Sequence, residues 1–192
     1  EDFFEPGTQE NTLNDPTVSV WSCISCHQLE DDDGNSKELV GPFDNWKLSM
    51  MSQAARDPVW HAGLAIANQD ANFGGDTCIR CHSPSAWLSG RSQPTDASAF
   101  TATDFEGVTC NVCHRLVDPV ANPKNPKEDA PILKALPADG LLPAAPGNAR
   151  YVIDPDDVRR GPLDDVPLNF HGVPIIVSPF HEKGQLCGTC HD

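Results

Sequence analysis

Apolar residues recur at helical spacing most clearly in one stretch of the chain, FDNWKLSMMSQAARDPVWHAGLAIANQD at 43–70. Asp44 is placed to cap a first helix there, and Asp57-Pro58 offers the N-cap and first helical position of a second. Met50, Met51 and His61 therefore fall on helices. NFGGD at 72–76 reads as a turn, and residues 1–20, with Pro6-Gly7 and Asp15-Pro16, read as an extended arm. Such an arm is ordered when it lies on its own domain or on a neighbouring subunit. The interval 115–186 holds no cysteine and 12 of the 18 prolines, which interrupt hydrogen-bonded ladders, so it is expected to be loop-rich. Within it PIIV at 174–177 is the one apolar run expected to form a short strand. The pattern predicts short α-helices and long loops with little β structure, in a single domain over 1–192 whose first 20 residues are the arm.

The cysteines change this picture. All eight fall in four C-x-x-C-H units: Cys23/Cys26/His27, Cys78/Cys81/His82, Cys110/Cys113/His114 and Cys187/Cys190/His191. On a helical turn, positions i, i+3 and i+4 share a face, so two thiols and one imidazole converge on a single flat object. C-x-x-C-H is the attachment signal for c-type haem, in which the thiols bond to the porphyrin edge and the imidazole binds iron. A disulfide framework accounts for the cysteines but not for a histidine after each pair. With 7 histidines in 192 residues, four such coincidences have a chance on the order of one in a million. Structural zinc also uses paired C-x-x-C units, yet does not require a histidine behind every pair. The predicted cofactors are four haem c groups.

Four haems leave 192/4 = 48 residues each, so the porphyrins are expected to form much of the apolar core. Trp21, Trp46, Trp60 and Trp87 are expected to pack against them. Arg80, Arg115, Arg159 and Arg160 suit either haem propionates or ordinary salt bridges. The formal charge of −15 excludes nucleic acid as a natural partner and favours basic ones. No apolar run approaches the ~20 residues of a membrane span. EDDDGN at 30–35 resembles a calcium loop only in part: its glycine is misplaced and Pro42 stands where the bidentate glutamate belongs, so it reads as a solvated acidic turn.

Four irons have eight axial positions. The motifs fill four with His27, His82, His114 and His191, and three histidines remain: His61, His171 and His181. Seven imidazoles cannot fill eight positions, and exchange between identical subunits leaves the sum unchanged. At least one haem must differ, by a methionine (Met50 or Met51), a lysine, the terminal amine or an open position. A His/Met iron serves electron transfer, whereas an open iron binds small molecules.

The motif order, with WKLSMM at 46–51 after the first unit, GVTCNVCH at 107–114 and a histidine-bearing segment before the fourth, resembles the tetrahaem cytochromes related to the electron acceptor of hydroxylamine oxidoreductase. YVIDPDDVRRGP and SPFHEKGQLCGTCHD are similar to segments of larger secreted multihaem cytochromes, and related proteins build extracellular cytochrome filaments. The resemblance spans nearly the whole chain and implies a multihaem cytochrome c fold with its core around four haems. It also implies export, with a signal peptide already removed, and a periplasmic or extracellular location. In many relatives a distal histidine stands two places after the serine of a W-x-x-S-x-H pattern. Here that place holds Met51, which favours Met51 over Met50 as an iron ligand.

The expected function is electron transfer through the four haems, with other redox proteins or extracellular acceptors as partners. A homo-oligomer or filament is the more specific form, favoured by the arm and by a motif that ends one residue before the last. The alternatives are a nitrogen-compound oxidoreductase with a five-coordinate haem, for which the scattered carboxylates supply no acid–base set, and a subunit of a larger membrane redox complex.

Overall fold

A computed structural model describes residues 4–28, 41–136, 140–166 and 171–190. The acidic turn at 30–35 and the motif histidine His191 lie outside them. Among the described residues the α-helices, in chain order, are α1 Ile24–His27, α2 Pro42–Lys47, α3 Met50–Gln53, α4 Pro58–Asp70, α5 Gly75–His82, α6 Pro84–Leu88, α7 Cys110–His114, α8 Asp129–Ala135 and α9 Gly184–Gly188. The longest has 13 residues, so no described helix is long and apolar enough to cross a membrane. Short helices and loops dominate, as the proline content requires.

The helical stretch at 43–70 resolves into α2, α3 and α4, and its two expected caps fare differently. Asp57 caps α4, its Oδ1 accepting from the Val59 N–H at 2.8 Å with Pro58 behind it. Asp44 does not cap. Gly41 is the N-cap of α2 and Pro42 its first residue, which moves Asp44 into the first turn, fully buried and 3.7 Å from the Lys47 ammonium. The expected turn at 72–76 ends early, because Gly75 and Asp76 already belong to α5. A Cβ on Gly75 would come within 2.1 Å of the Thr95 carbonyl oxygen, so only glycine admits that approach.

More strand is present than PIIV alone predicts. β1 Leu116–Val117 pairs antiparallel with β2 Val152–Ile153, and β3 Arg159–Gly161 pairs parallel with β4 Ile175–Val177. Two-residue strands leave no alternation to read, and β3 is Arg-Arg-Gly, so neither pattern nor propensity marks them.

The chain divides into two compact units. The first comprises Val18–Trp87 and Arg91–Asn111, and the second comprises Glu1–Thr17, Leu88–Gly90 and Val112–Asp192. The first is organised by α2 to α5 around Phe43, Trp60, Leu64, Ile79 and Trp87. The second is organised by the two small sheets around Leu116, Val117, Tyr151, Val152, Ile153 and Phe180. In the second unit the N-terminal arm lies on its own chain: the N–H groups of Gly7 and Thr8 donate to Leu141 and Tyr151, and that of Asn14 to Pro155. Polar side chains are buried about as often as apolar ones, while Trp21, Leu48, Met50, Val59, Ile66 and Phe73 are exposed in the first unit.

Candidate haem-binding sites

The first three C-x-x-C-H units take the helical form that brings i, i+3 and i+4 together. Cys23 is the N-cap of α1, which ends at His27; α5 carries Cys78, Cys81 and His82; α7 runs from Cys110 to His114. Cys187 lies in α9, with Cys190 two residues past its end. No disulfide joins the eight cysteines. Among the described residues no three His, Cys, Asp or Glu side chains come together to hold a metal ion, as a tetrahedral zinc site would need.

In the first unit His82 is held by its Nδ1, 2.9 Å from the Ala54 carbonyl oxygen. The Trp60 ring lies nearly parallel to it, with centroids 5.1 Å apart. His61 is held by the other nitrogen: its Nε2 is 3.1 Å from the carbonyl of Ala55. Arg80 is buried, its guanidinium 4.1 Å from the Trp87 ring centre. Burial, then the neighbouring Cys81, pushes the Cys78 thiol above its ordinary value.

Met51 follows the first motif in sequence but belongs in space with the approach to the third. Its carbonyl accepts from the Val108 N–H at 3.0 Å, two residues before Cys110, and the Trp46 indole donates to the Val108 carbonyl at 2.7 Å. Gly107 makes this approach possible. Its φ is +73°, and a Cβ there would stand 2.3 Å from the Met51 oxygen. The Met51 side chain is 45% exposed and that of Met50 77%. The start of the first motif is tied to the same segment, through Ser19 and the Val20 N–H on the Glu106 carboxylate at 2.5 and 2.9 Å.

In the second unit His114 is again held by Nδ1, 2.7 Å from the Arg160 carbonyl oxygen. The His181 ring faces it, with centroids 5.9 Å apart and planes within 13°. His181 Nε2 lies 3.0 Å from the Cys113 carbonyl, and its Nδ1 is buried without a hydrogen bond. Burial, opposed only in part by the Cys113 carbonyl, lowers the His181 pKa to about 4. Burial and then Cys187 raise the Cys113 thiol to about 11, which puts the third and fourth motifs within electrostatic reach of each other. His171 is half-buried ahead of β4.

The arginines are mostly committed to the protein. Arg115 is fully buried and donates to the carbonyls of Asp154, Pro155 and Asp15 at 2.6 to 3.0 Å. Arg160 contacts Asp129 and Asp154, and Arg159 pairs with Asp157 at 3.2 Å.

These residues fit haem. Where a histidine's Nδ1 is anchored on a carbonyl, Nε2 is the nitrogen left for a metal, with its tautomer and orientation fixed. His82 and His114 both have that form, each beside two thiols on the same helix. Exposed Trp21 and Met51 offer apolar surface close to the motifs. The sequence carried the motifs but not the anchors, because Ala54 and Arg160 stand 28 and 46 residues from the histidines they hold. No protein-family model, no curated protein and no solved structure matches the chain.

Proposed function

We propose that the chain is a c-type tetrahaem cytochrome that carries electrons. The observation that supports this most is the shared anchoring of His82 and His114 by Nδ1 on backbone carbonyls, within C-x-x-C-H helices. Haem iron supplies the one-electron change between ferric and ferrous, and the protein supplies ligands, spacing and electrostatics. His27, His82, His114 and His191 are the proximal ligands, and the thiols of Cys23, Cys26, Cys78, Cys81, Cys110, Cys113, Cys187 and Cys190 hold the porphyrin edges. His181, whose ring centre lies 5.9 Å from that of His114, would offer the same group a second imidazole through its buried Nδ1, which carries no hydrogen bond. His61 and His171 are further distal candidates, and Met51 takes the position that no histidine can fill.

The neighbouring Cys113 and Cys187 favour transfer between the third and fourth haems. A periplasmic or extracellular site and assembly into a filament are the finer form of this reading, and micrographs of the native protein showing only monomers reject the filament. The main test is the intact mass after denaturation. It should exceed the polypeptide by four haems, and a mass equal to the bare chain ends the proposal. The shortage of an eighth imidazole also supports a second reading, an enzyme with one open iron. A high-spin ferric signal that shifts with nitrite or nitric oxide, accompanied by turnover, would select it.

A further inference from the structure

Arg160 stands between the His114 site and a pair of carboxylates. Its carbonyl holds His114 Nδ1 at 2.7 Å, while its guanidinium meets Asp129 and Asp154. Nε donates to Asp129 Oδ1 at 3.0 Å, and Nη2 lies 2.9 Å from Asp129 and 2.7 Å from Asp154 as ion pairs outside hydrogen-bond alignment. The three side chains are 0%, 1% and 5% exposed. The buried Arg115 guanidinium also acts on Asp154, which it meets at the backbone carbonyl at 2.6 Å, so Asp129 is the acid left with only a share of Arg160, and an ionised carboxylate so placed away from water is costly.

The two acids are not equivalent. Asp154 is satisfied as an anion: one oxygen faces Arg160 and the other accepts from the Asp156 N–H at 3.0 Å. Asp129 has a buried Oδ2 with no hydrogen bond. Burial raises its pKa against the pull of Arg160, and Asp154 and Glu128 add to the rise. Glu128 is half in solvent beside Lys127, and Lys134 is on the same helix. His114 is held on the Arg160 carbonyl, and His181 lies within reach of the Arg160 charge.

We propose that Asp129 is a proton acceptor coupled through Arg160 to the oxidation state of the iron bound at His114. The inference rests on the haem reading above. A one-electron donor, such as a reduced redox protein, converts ferric to ferrous iron and removes one positive charge from the site. The ionised, incompletely hydrogen-bonded Asp129 then costs more. One proton from solvent forms an O–H bond on Asp129, and no other bond forms or breaks. The electron is thereby accompanied by a proton that remains in the protein.

The test is the reduced-minus-oxidised infrared spectrum of the complete haem-loaded protein, prepared with and without carbon-13 aspartate. A protonated-carboxyl band should appear on reduction, shift with the label, and vanish in Asp129→Asn. The aspartate label separates it from propionates. One haem potential should also fall with rising pH, by up to about 59 mV per unit, the tenfold change expressed for one electron. That slope should shrink in Asp129→Asn. If this variant does not fold, Asp129→Glu decides, because the band must move from the aspartate label to a glutamate label. No aspartate band on reduction, or one that survives Asp129→Asn, overturns the proposal. A mass lacking haem defeats the underlying reading instead.

Discussion

The His82 and His114 sites share one local device and sit in opposite surroundings. Each holds its imidazole by Nδ1 on a carbonyl. At His82 the carbonyl belongs to Ala54 and the ring is backed by Trp60. At His114 it belongs to Arg160, whose side chain meets two buried carboxylates. The long-range carbonyl thus fixes which nitrogen is left over at each ring, and the residue that supplies it decides the field around that ring. A buried carboxylate such as Asp129 favours ferric iron over ferrous, so under the haem reading the His114 site should have the lower potential.

The largest test deletes one side of the comparison. Cys78→Ala with Cys81→Ala should remove one haem and leave three, measured by intact mass and by the loss of about a quarter of the haem absorbance, on the thioether rule for C-x-x-C-H. The potential that disappears from the redox titration should lie above the one lost with Cys110→Ala and Cys113→Ala. The reverse order would break the electrostatic contrast drawn above.

Next come the buried ion pairs. Arg160→Met removes the cation shared by two buried carboxylates and should cost about 3–5 kcal/mol in urea unfolding. Arg91→Met in the first unit should cost less. Arg91 is 32% exposed, and the Asp104 it deserts still accepts from the Thr101 N–H and hydroxyl at 2.7 and 2.8 Å. Equal losses would show that the burial of the second unit's ion pairs adds little energy.

Smaller effects separate structure from ligation at Met51. Gly107→Ala forces a Cβ against the Met51 carbonyl at positive φ and should cost more than about 1 kcal/mol. Met51→Ala, at a largely exposed side chain, should change stability by no more than about 0.5 kcal/mol. It should nonetheless alter one haem's signature in magnetic circular dichroism. Unchanged spectra would remove Met51 from the ligand set.

What could be read from the sequence was what depends on near neighbours. The Cys-Cys-His face at i, i+3 and i+4, the Asp57-Pro58 start of α4 and the shortness of the helices all follow from residues a turn apart. What could not be read depends on chain return. Ala54 and Arg160 offer only a carbonyl, so their side chains carry no sign of the role. Asp44 looked like a cap, yet Gly41 and Pro42 begin α2 ahead of it. For Arg160 the sequence leaves propionate and salt bridge open, and the choice is made by Asp154, six residues away, together with Asp129, 31 residues away.

The two units should also answer acid in opposite senses. Burial raises the Asp104 carboxyl, but the Arg91 and Thr101 hydrogen bonds outweigh it and hold its pKa below the ordinary value. A depressed folded pKa contributes stability that is present above the unfolded value and lost as pH falls through the folded one. Asp129 is shifted upward, mainly by burial, so its contribution is complete below the unfolded value and is lost as pH rises through the folded one. Acidification should therefore loosen the first unit at Thr101, whose N–H is held by Asp104, while easing the burial of Asp129 in the second. Hydrogen exchange at the Thr101 amide, corrected for the intrinsic rate, should quicken on the acid side in the wild type and lose that dependence in Asp104→Asn. A Thr101 amide indifferent to acid in the wild type would mean that the Asp104 contact is not what holds this turn.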